Sequence, residues 1–303
     1  MSGHWTGTFS FATGAVRFSD LAYIAMYNDE LDAAKVAHTH FMEWDAGTWR
    51  GGGDVRWATA GMCVARKPLQ QMCAVGFYGG VRLIGSGDTH EEQIGGDAEV
   101  IKARGPLRGV RTIGERVYVV GMNRQVWRRD DVDHWVAIDQ GAKPAADSKE
   151  VVGFEAVDGF SEADIYAAGW DGEIWHFDGA TWQQKPSPTN IVLTRLLCAG
   201  NGVVYASGRK GLLLQGRDDA WEVIDHESMI DDIWDLAWYQ DTLYISSLYG
   251  LFTLQNGKLH AVDCGEVHPD TFYHLSVADG VLWSIGAKNI VAFDGTTWTR
   301  IDG

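Results

Sequence analysis

The sequence predicts an all-β protein, a seven-bladed β-propeller of four-stranded antiparallel blades, and three observations carry the expectation. A short apolar strand ending in a small residue recurs along the chain, a tight turn joins it to a second apolar run, and a tryptophan follows at a fixed offset. The composition fits: 37 glycines and 14 tryptophans but only 6 prolines among 303 residues supply turns and large aromatic anchors and leave long helices little place.

The recurring strand, the second of each unit, is clearest in Val117-Tyr118-Val119-Val120-Gly121, Ile165-Tyr166-Ala167-Ala168-Gly169, Val204-Tyr205-Ala206-Ser207-Gly208 and Leu282-Trp283-Ser284-Ile285-Gly286. Leu243-Tyr244-Ile245-Ser246-Ser247 is a fifth copy with Ser where the others have Gly. The markers Tyr118, Tyr166, Tyr205, Tyr244 and Trp283 are separated by 48, 39, 39 and 39 residues. Weaker copies lie upstream at 21–25 and 71–76, which makes seven units of about 43 residues, a spacing typical of propeller blades. A lone four-stranded sheet cannot bury both faces, whereas a ring of such sheets can.

The third and fourth strands follow as hairpins. Ile174-Trp175-His176-Phe177 and Ile290-Val291-Ala292-Phe293 each run into Asp-Gly and then to Trp182 or Trp298. Asp-Gly between alternating apolar runs predicts a two-residue turn with positive φ at both positions. The first strand of each unit precedes the marker, as at 193–199 and 272–277. Blade boundaries are expected near 1–50, 51–97, 98–140, 141–187, 188–226, 227–264 and 265–303, all within one domain. Trp49, Trp135, Trp182, Trp221 and Trp298 are expected to pack between blades.

The repeat resembles the bacterial propeller pattern V-Y-A-V-G-x-x-G-x-I-x-x-x-D-G-x-x-W over nearly the whole chain. It lacks the Gly-His and Trp-Asp of WD40 repeats and the Gly-Gly of kelch repeats. This likeness implies an architecture that hosts many functions, so function has to come from sites.

Meander order places the turn between the second and third strands on the same face as the loop leading into the first strand. This upper face carries the sequence variety. Tyr78, Trp170 and Tyr249 stand where a turn prefers small or polar residues, as binding aromatics do. Arg124, Asp171 and Arg209 occupy equivalent turns, and Asp231, Asp232 and Asp235 cluster where a first strand begins. These nine are the candidate partner-binding residues; the three aspartates also suit a cation. Residues 27–38 interrupt the first blade, and their acidic start predicts one or two helical turns.

The net charge is −16, with 41 Asp+Glu against 25 Lys+Arg. From Trp221 onward, thirteen carboxylates face only Lys258, Lys288 and Arg300. Such a surface opposes nonspecific nucleic-acid binding and favours a basic protein partner. No apolar stretch approaches the length of a membrane span, and the first residues lack a basic, apolar-cored leader. Cys63, Cys73, Cys198 and Cys264 show no metal spacing and suit reduced thiols, so the expected compartment is the cytoplasm.

No nucleophile elbow, phosphate loop or zinc-protease motif occurs, and His38-x-His40 has no third ligand nearby. No cofactor or metal is expected. The chain therefore resembles a dedicated inhibitor, an immunity protein that covers a basic toxin or nuclease domain, acting as a monomer or in a one-to-one complex. Two other readings remain open: a carbohydrate-active or other hydrolase using Glu155 and Asp235 near the axis, and a small-ligand sensor or scaffold using the central channel.

Overall fold

The computed structural model describes residues 7–145, 147–228 and 231–302; Met229, Ile230 and the leader reading at 1–6 lie outside them. Seven four-stranded sheets, each a meander of consecutive antiparallel strands A to D, make the propeller. Blade one comprises Phe9–Phe18, Leu21–Asn28, Thr39–Asp45 and Thr48–Val55, so it runs past the boundary expected near 50. Blade two is Thr59–Ala65, Gln71–Gly76, Gly80–Gly85 and Asp88–Gln93; blade three is Leu107–Ile113, Arg116–Gly121, Val126–Asp131 and His134–Ala137. Blade four is Phe154–Ser161, Asp164–Gly169, Ile174–Phe177 and Trp182–Lys185; blade five is Leu193–Cys198, Val204–Gly208, Leu213–Arg217 and Ala220–Val223. Blade six is Asp235–Tyr239, Thr242–Ser246, Leu251–Gln255 and Lys258–Ala261; blade seven is His274–Ala278, Val281–Ile285, Ile290–Phe293 and Trp298–Arg300.

Strand B is where the repeat signal sits because neighbouring blades cover both its faces. All six residues of Gln71–Gly76 and all five of Val204–Gly208 are buried. A strand buried on both sides reads as a continuous apolar run, whereas one with a wet face alternates. Apolar clusters accordingly join residues of successive blades, as Tyr118 and Val120 of blade three pack with Phe154, Trp175 and Trp182 of blade four.

The glycine that ends the repeat has a steric cause. A Cβ on Gly169 would lie 1.9 Å from the Gly153 carbonyl, on Gly208 2.4 Å from that of Val192, and on Gly286 2.1 Å from that of Thr271. Each carbonyl belongs to the loop leading into strand A of the same blade, which crosses the end of strand B. In blade six, buried Ser247 holds this place; there, as in blade seven, the residue just before strand A donates its amide to the end of strand B, Trp234 to Ser246 at 2.8 Å and Tyr273 to Ile285 at 3.1 Å.

Strand-D tryptophans tie blades together. Trp182 gives its indole N–H to the Ile138 carbonyl at 2.8 Å, and Trp135 gives its own to Glu92 at 2.8 Å. The ring closes in the same way, Trp49 donating to the Ile301 carbonyl at 3.1 Å. Phe11 also donates to the Ala287 carbonyl at 2.9 Å and the Val16 amide to Ser276 Oγ at 2.9 Å. Among the described residues no strand crosses between the first and last blades.

The Asp-Gly turns differ from the expectation. Phe177 pairs with Trp182 and Phe293 with Trp298, so four residues, not two, join each hairpin. Only Gly179 and Gly295 have positive φ. The Asp178 carboxylate accepts the amides of Ala180 and Thr181, both at 2.9 Å, and Asp294 accepts those of Thr296 and Thr297, both at 2.8 Å. An aspartate that caps two amides makes an Asx turn, which removes the need for a mirror-image turn. The insertion in blade one does form a helix, Asp29–Ala33, capped by Asn28 Oδ1, which accepts from Glu30 and Leu31.

Candidate functional site

The B–C turns and the loops leading into strand A build one face, and clamps fix its shape. Gln125 Nε2 donates to the Gly105 carbonyl at 2.8 Å, and Asn289 Oδ1 accepts the amides of Asp270 and Thr271 at 3.1 Å. In blade four the same position is Glu173, which takes Arg124 Nε at 2.7 Å and Trp175 Nε1 at 3.0 Å. Burial holds the Glu173 carboxyl above the usual carboxylate range against these partners.

This face concentrates exposed apolar surface. Of twelve exposed large hydrophobic side chains among the described residues, seven lie on it: Leu31, Val36, Tyr78, Val100, Val151, Trp234 and Tyr249. Contiguous exposed apolar surface marks interaction sites, whereas scattered single residues need no explanation. Two of the face's three exposed aromatics, Trp234 and Tyr249, lie on blade six, beside blade seven. Tyr249 is 72% exposed, and Trp234 packs edge-on to Tyr273 with centroids 5.0 Å apart. The Phe272 amide donates to the Leu248 carbonyl at 2.9 Å, which holds the two loops side by side.

Charge surrounds these aromatics. The loops 224–234 and 262–273 carry seven acidic side chains and no Lys or Arg. The acidic helix Asp29–Ala33 adjoins blade seven through Lys288, which pairs with Asp29 and donates to the Phe9 carbonyl at 2.8 Å.

The nine expected residues have different fates. Tyr249, Asp231 and Asp232 stand in the acidic sector, and Asp232 Oδ1 accepts the Lys210 amide at 2.8 Å, so it also shapes the next turn. Arg209 and Asp171 are exposed on their turns, Asp171 with φ of 54°. Tyr78 is exposed but sits on blade two beneath Lys102, 5.9 Å from the ring centroid. Trp170 is half-buried over the channel rim and gives Nε1 to Glu155 at 2.7 Å. The three aromatics thus occupy alternate blades and do not form one patch. Arg124 is spent on Glu173 and on the Trp175 face, 4.9 Å from the centroid; it fastens blade three to blade four. Trp234 and Tyr273 were not expected. Their signal is an aromatic just before strand A, outside every position of the repeat.

Asp235 belongs to the channel, not to the surface sector. An upper cavity of about 330 Å³ is lined by Arg108, Arg111, Glu155, Arg195, Asp235 and His274 among others. Asp235 faces Arg195 at 3.4 Å and His274 at 3.8 Å, and it accepts the Leu275 amide at 2.9 Å. Burial pushes its carboxyl up, but His274, Arg195 and that amide outweigh burial and hold it below the usual range. Glu155 faces Arg108 at 3.7 Å. Asp231, Asp232 and Asp235 therefore do not converge on a cation. The three-ligand group among the described residues is His90, Glu92 and Asp133. Glu92 there is filled: its oxygens accept from Arg129, Trp135 and the Asp133 amide.

No family model matches the chain. It is 49% identical over 298 residues to the immune protein Tsi7 of Pseudomonas aeruginosa, covering 97% of each protein. Among solved structures, YCF48 bound to D1 peptide aligns with a TM-score of 0.67 at 15% identity, covering 94% of this chain and 91% of that one. YCF48 from Cyanidioschyzon merolae aligns at 0.56 with 14% identity, covering 79% and 83%. At such identities the structural likeness concerns the fold alone.

Proposed function

The chain belongs to the family of the immune protein Tsi7, and on that premise we propose that it neutralises a toxin domain by non-catalytic binding through the acidic, aromatic sector of blades six and seven. The observation that carries this reading is the coincidence there of exposed Tyr249 and Trp234 with seven carboxylates on the loops 224–234 and 262–273, which carry no Lys or Arg. Rigid aromatics give affinity from a small area, while a predominantly acidic rim speeds encounter with an oppositely charged partner and selects against others. The partner is accordingly a basic protein domain, held one-to-one, and the cytoplasm is where this protein meets it.

A hydrolytic role finds less support. Glu155 and Asp235 each face an arginine, and Asp235 is held ionised, the opposite of what a general acid requires.

Co-expression with the toxin-like product of a neighbouring gene, followed by size-exclusion chromatography with light scattering, tests the proposal. A one-to-one complex that loses the toxin's activity is expected. Separate elution of the two proteins, with toxin activity intact, would overturn it.

A further inference from the structure

The lower mouth of the channel has the opposite character to the acidic face. A cavity of about 410 Å³ opens there, below a waist at Met62, Arg111 and Leu236 that it shares with the upper cavity. Three guanidinium side chains, Arg17, Arg66 and Arg111, line it from successive blades, and no Asp or Glu is among its lining residues. In a chain of net charge −16, three cations around one opening run against the average.

Only Arg111 has an acidic partner, Asp158, at 3.2 and 3.3 Å. Arg17 gives Nη2 to Ser86 Oγ at 3.0 Å and Nη1 to the Tyr23 hydroxyl at 3.4 Å. Arg66 gives Nη1 to the Gly114 carbonyl at 3.1 Å. Neutral acceptors orient these two guanidiniums without cancelling their charge, and neither lies within ion-pair distance of a carboxylate among the described residues. The opposite wall is uncharged. Trp238, its indole resting against Gly200, and Val277, which is 39% exposed at the rim, line it there.

We propose that this mouth binds a small organic anion whose phosphate or carboxylate head sits against Arg17 and Arg66 and whose flat apolar body lies on Trp238 and Val277. A guanidinium matches such heads with paired N–H donors, and an indole face takes a flat body by stacking. The volume falls in the range of small-molecule pockets. The site faces away from the docking sector, so it stands or falls separately from the toxin-binding reading.

Titration calorimetry at low ionic strength tests it with three probes: inorganic phosphate, adenosine 5′-monophosphate and benzoate. Adenosine monophosphate or benzoate is expected to bind, with the tighter of the two assigning the head group. Arg66→Gln, at an exposed side chain, and Arg17→Gln should each weaken binding by about tenfold or more, and Trp238→Leu should weaken the two aromatic probes but not phosphate. Melting curves and toxin binding of Arg66→Gln should match the parent protein. No heat from any probe up to ~10 mM, or binding that survives both arginine substitutions, overturns the proposal. Equal loss of phosphate and aromatic binding in Trp238→Leu overturns the role given to the apolar wall.

Discussion

The Trp49 indole N–H reaches the Ile301 carbonyl at 3.1 Å, across 252 positions of sequence. The bond repeats, between the chain's two ends, what Trp182 does with Ile138 across 44 positions inside the ring. Closure is therefore one more blade-to-blade contact of the ordinary kind. Trp49→Phe should cost about 1 kcal/mol by removing the donor, and Trp49→Ala about 2–3 kcal/mol because packing is lost as well. Thermal unfolding measures both; equal stability of the phenylalanine variant and the parent would contradict the role of the indole N–H.

Glu92 and Arg129 form a buried ion pair between blades two and three, with side-chain exposures of 0% and 1%. Arg129→Met should destabilise by about 3–5 kcal/mol, since it strands a buried carboxylate. In the parent, burial pushes Glu92 up, but Arg129 and its other donors outweigh that and hold the group below 4.5. Its contribution is therefore full above that pH and is lost as pH falls through the lowered folded value. Arg129→Met should reverse the sign: burial is then opposed only by the Trp135 and Asp133 N–H donors, and stability should decline as pH rises through the raised value. Chemical denaturation across acid and neutral pH would reveal either slope.

Gly169→Ala is expected to be disproportionately harmful for a methyl group, about 2 kcal/mol or more, because the added Cβ meets the Gly153 carbonyl at 1.9 Å. Gly51→Ala, with nothing within 4 Å, serves as the control. Similar melting temperatures for the two variants would disprove the steric account of the repeat glycine.

Tyr249→Ala should weaken toxin binding by about 2 kcal/mol while leaving the melting temperature unchanged, because the side chain is 72% exposed. Arg124→Ala should do the reverse, lowering stability through the loss of its pair with Glu173 and leaving affinity alone. An affinity loss confined to the Arg124 variant would move the interface off blades six and seven.

Asp231→Lys with Asp270→Lys should slow association several-fold and flatten its dependence on salt, with dissociation nearly unchanged. Stopped-flow mixing at two ionic strengths reads both. Unaltered association would remove electrostatic steering from the mechanism.

What the sequence determined by itself was the architecture. Strand B is buried on both faces in blades two, four and five, and its apolar run recurs in all seven units, five of them ending in glycine, so the repeat counts the blades without coordinates. The helix at Asp29–Ala33 and the acidity of the last blades were equally legible, because capping and charge are local or additive. Tertiary structure decided which side chains remain available for binding. Arg124 and Trp170 look alike with Arg209 and Tyr249 as turn residues, yet Glu173 and Glu155 consume the first two. Glu173 lies 49 positions from Arg124, on the next blade. A repeat specifies that blades are adjacent, but not how one side chain rotates to meet a carboxylate on its neighbour. For the same reason Trp234 and Tyr273 became visible as a pair only once two loops had been brought side by side.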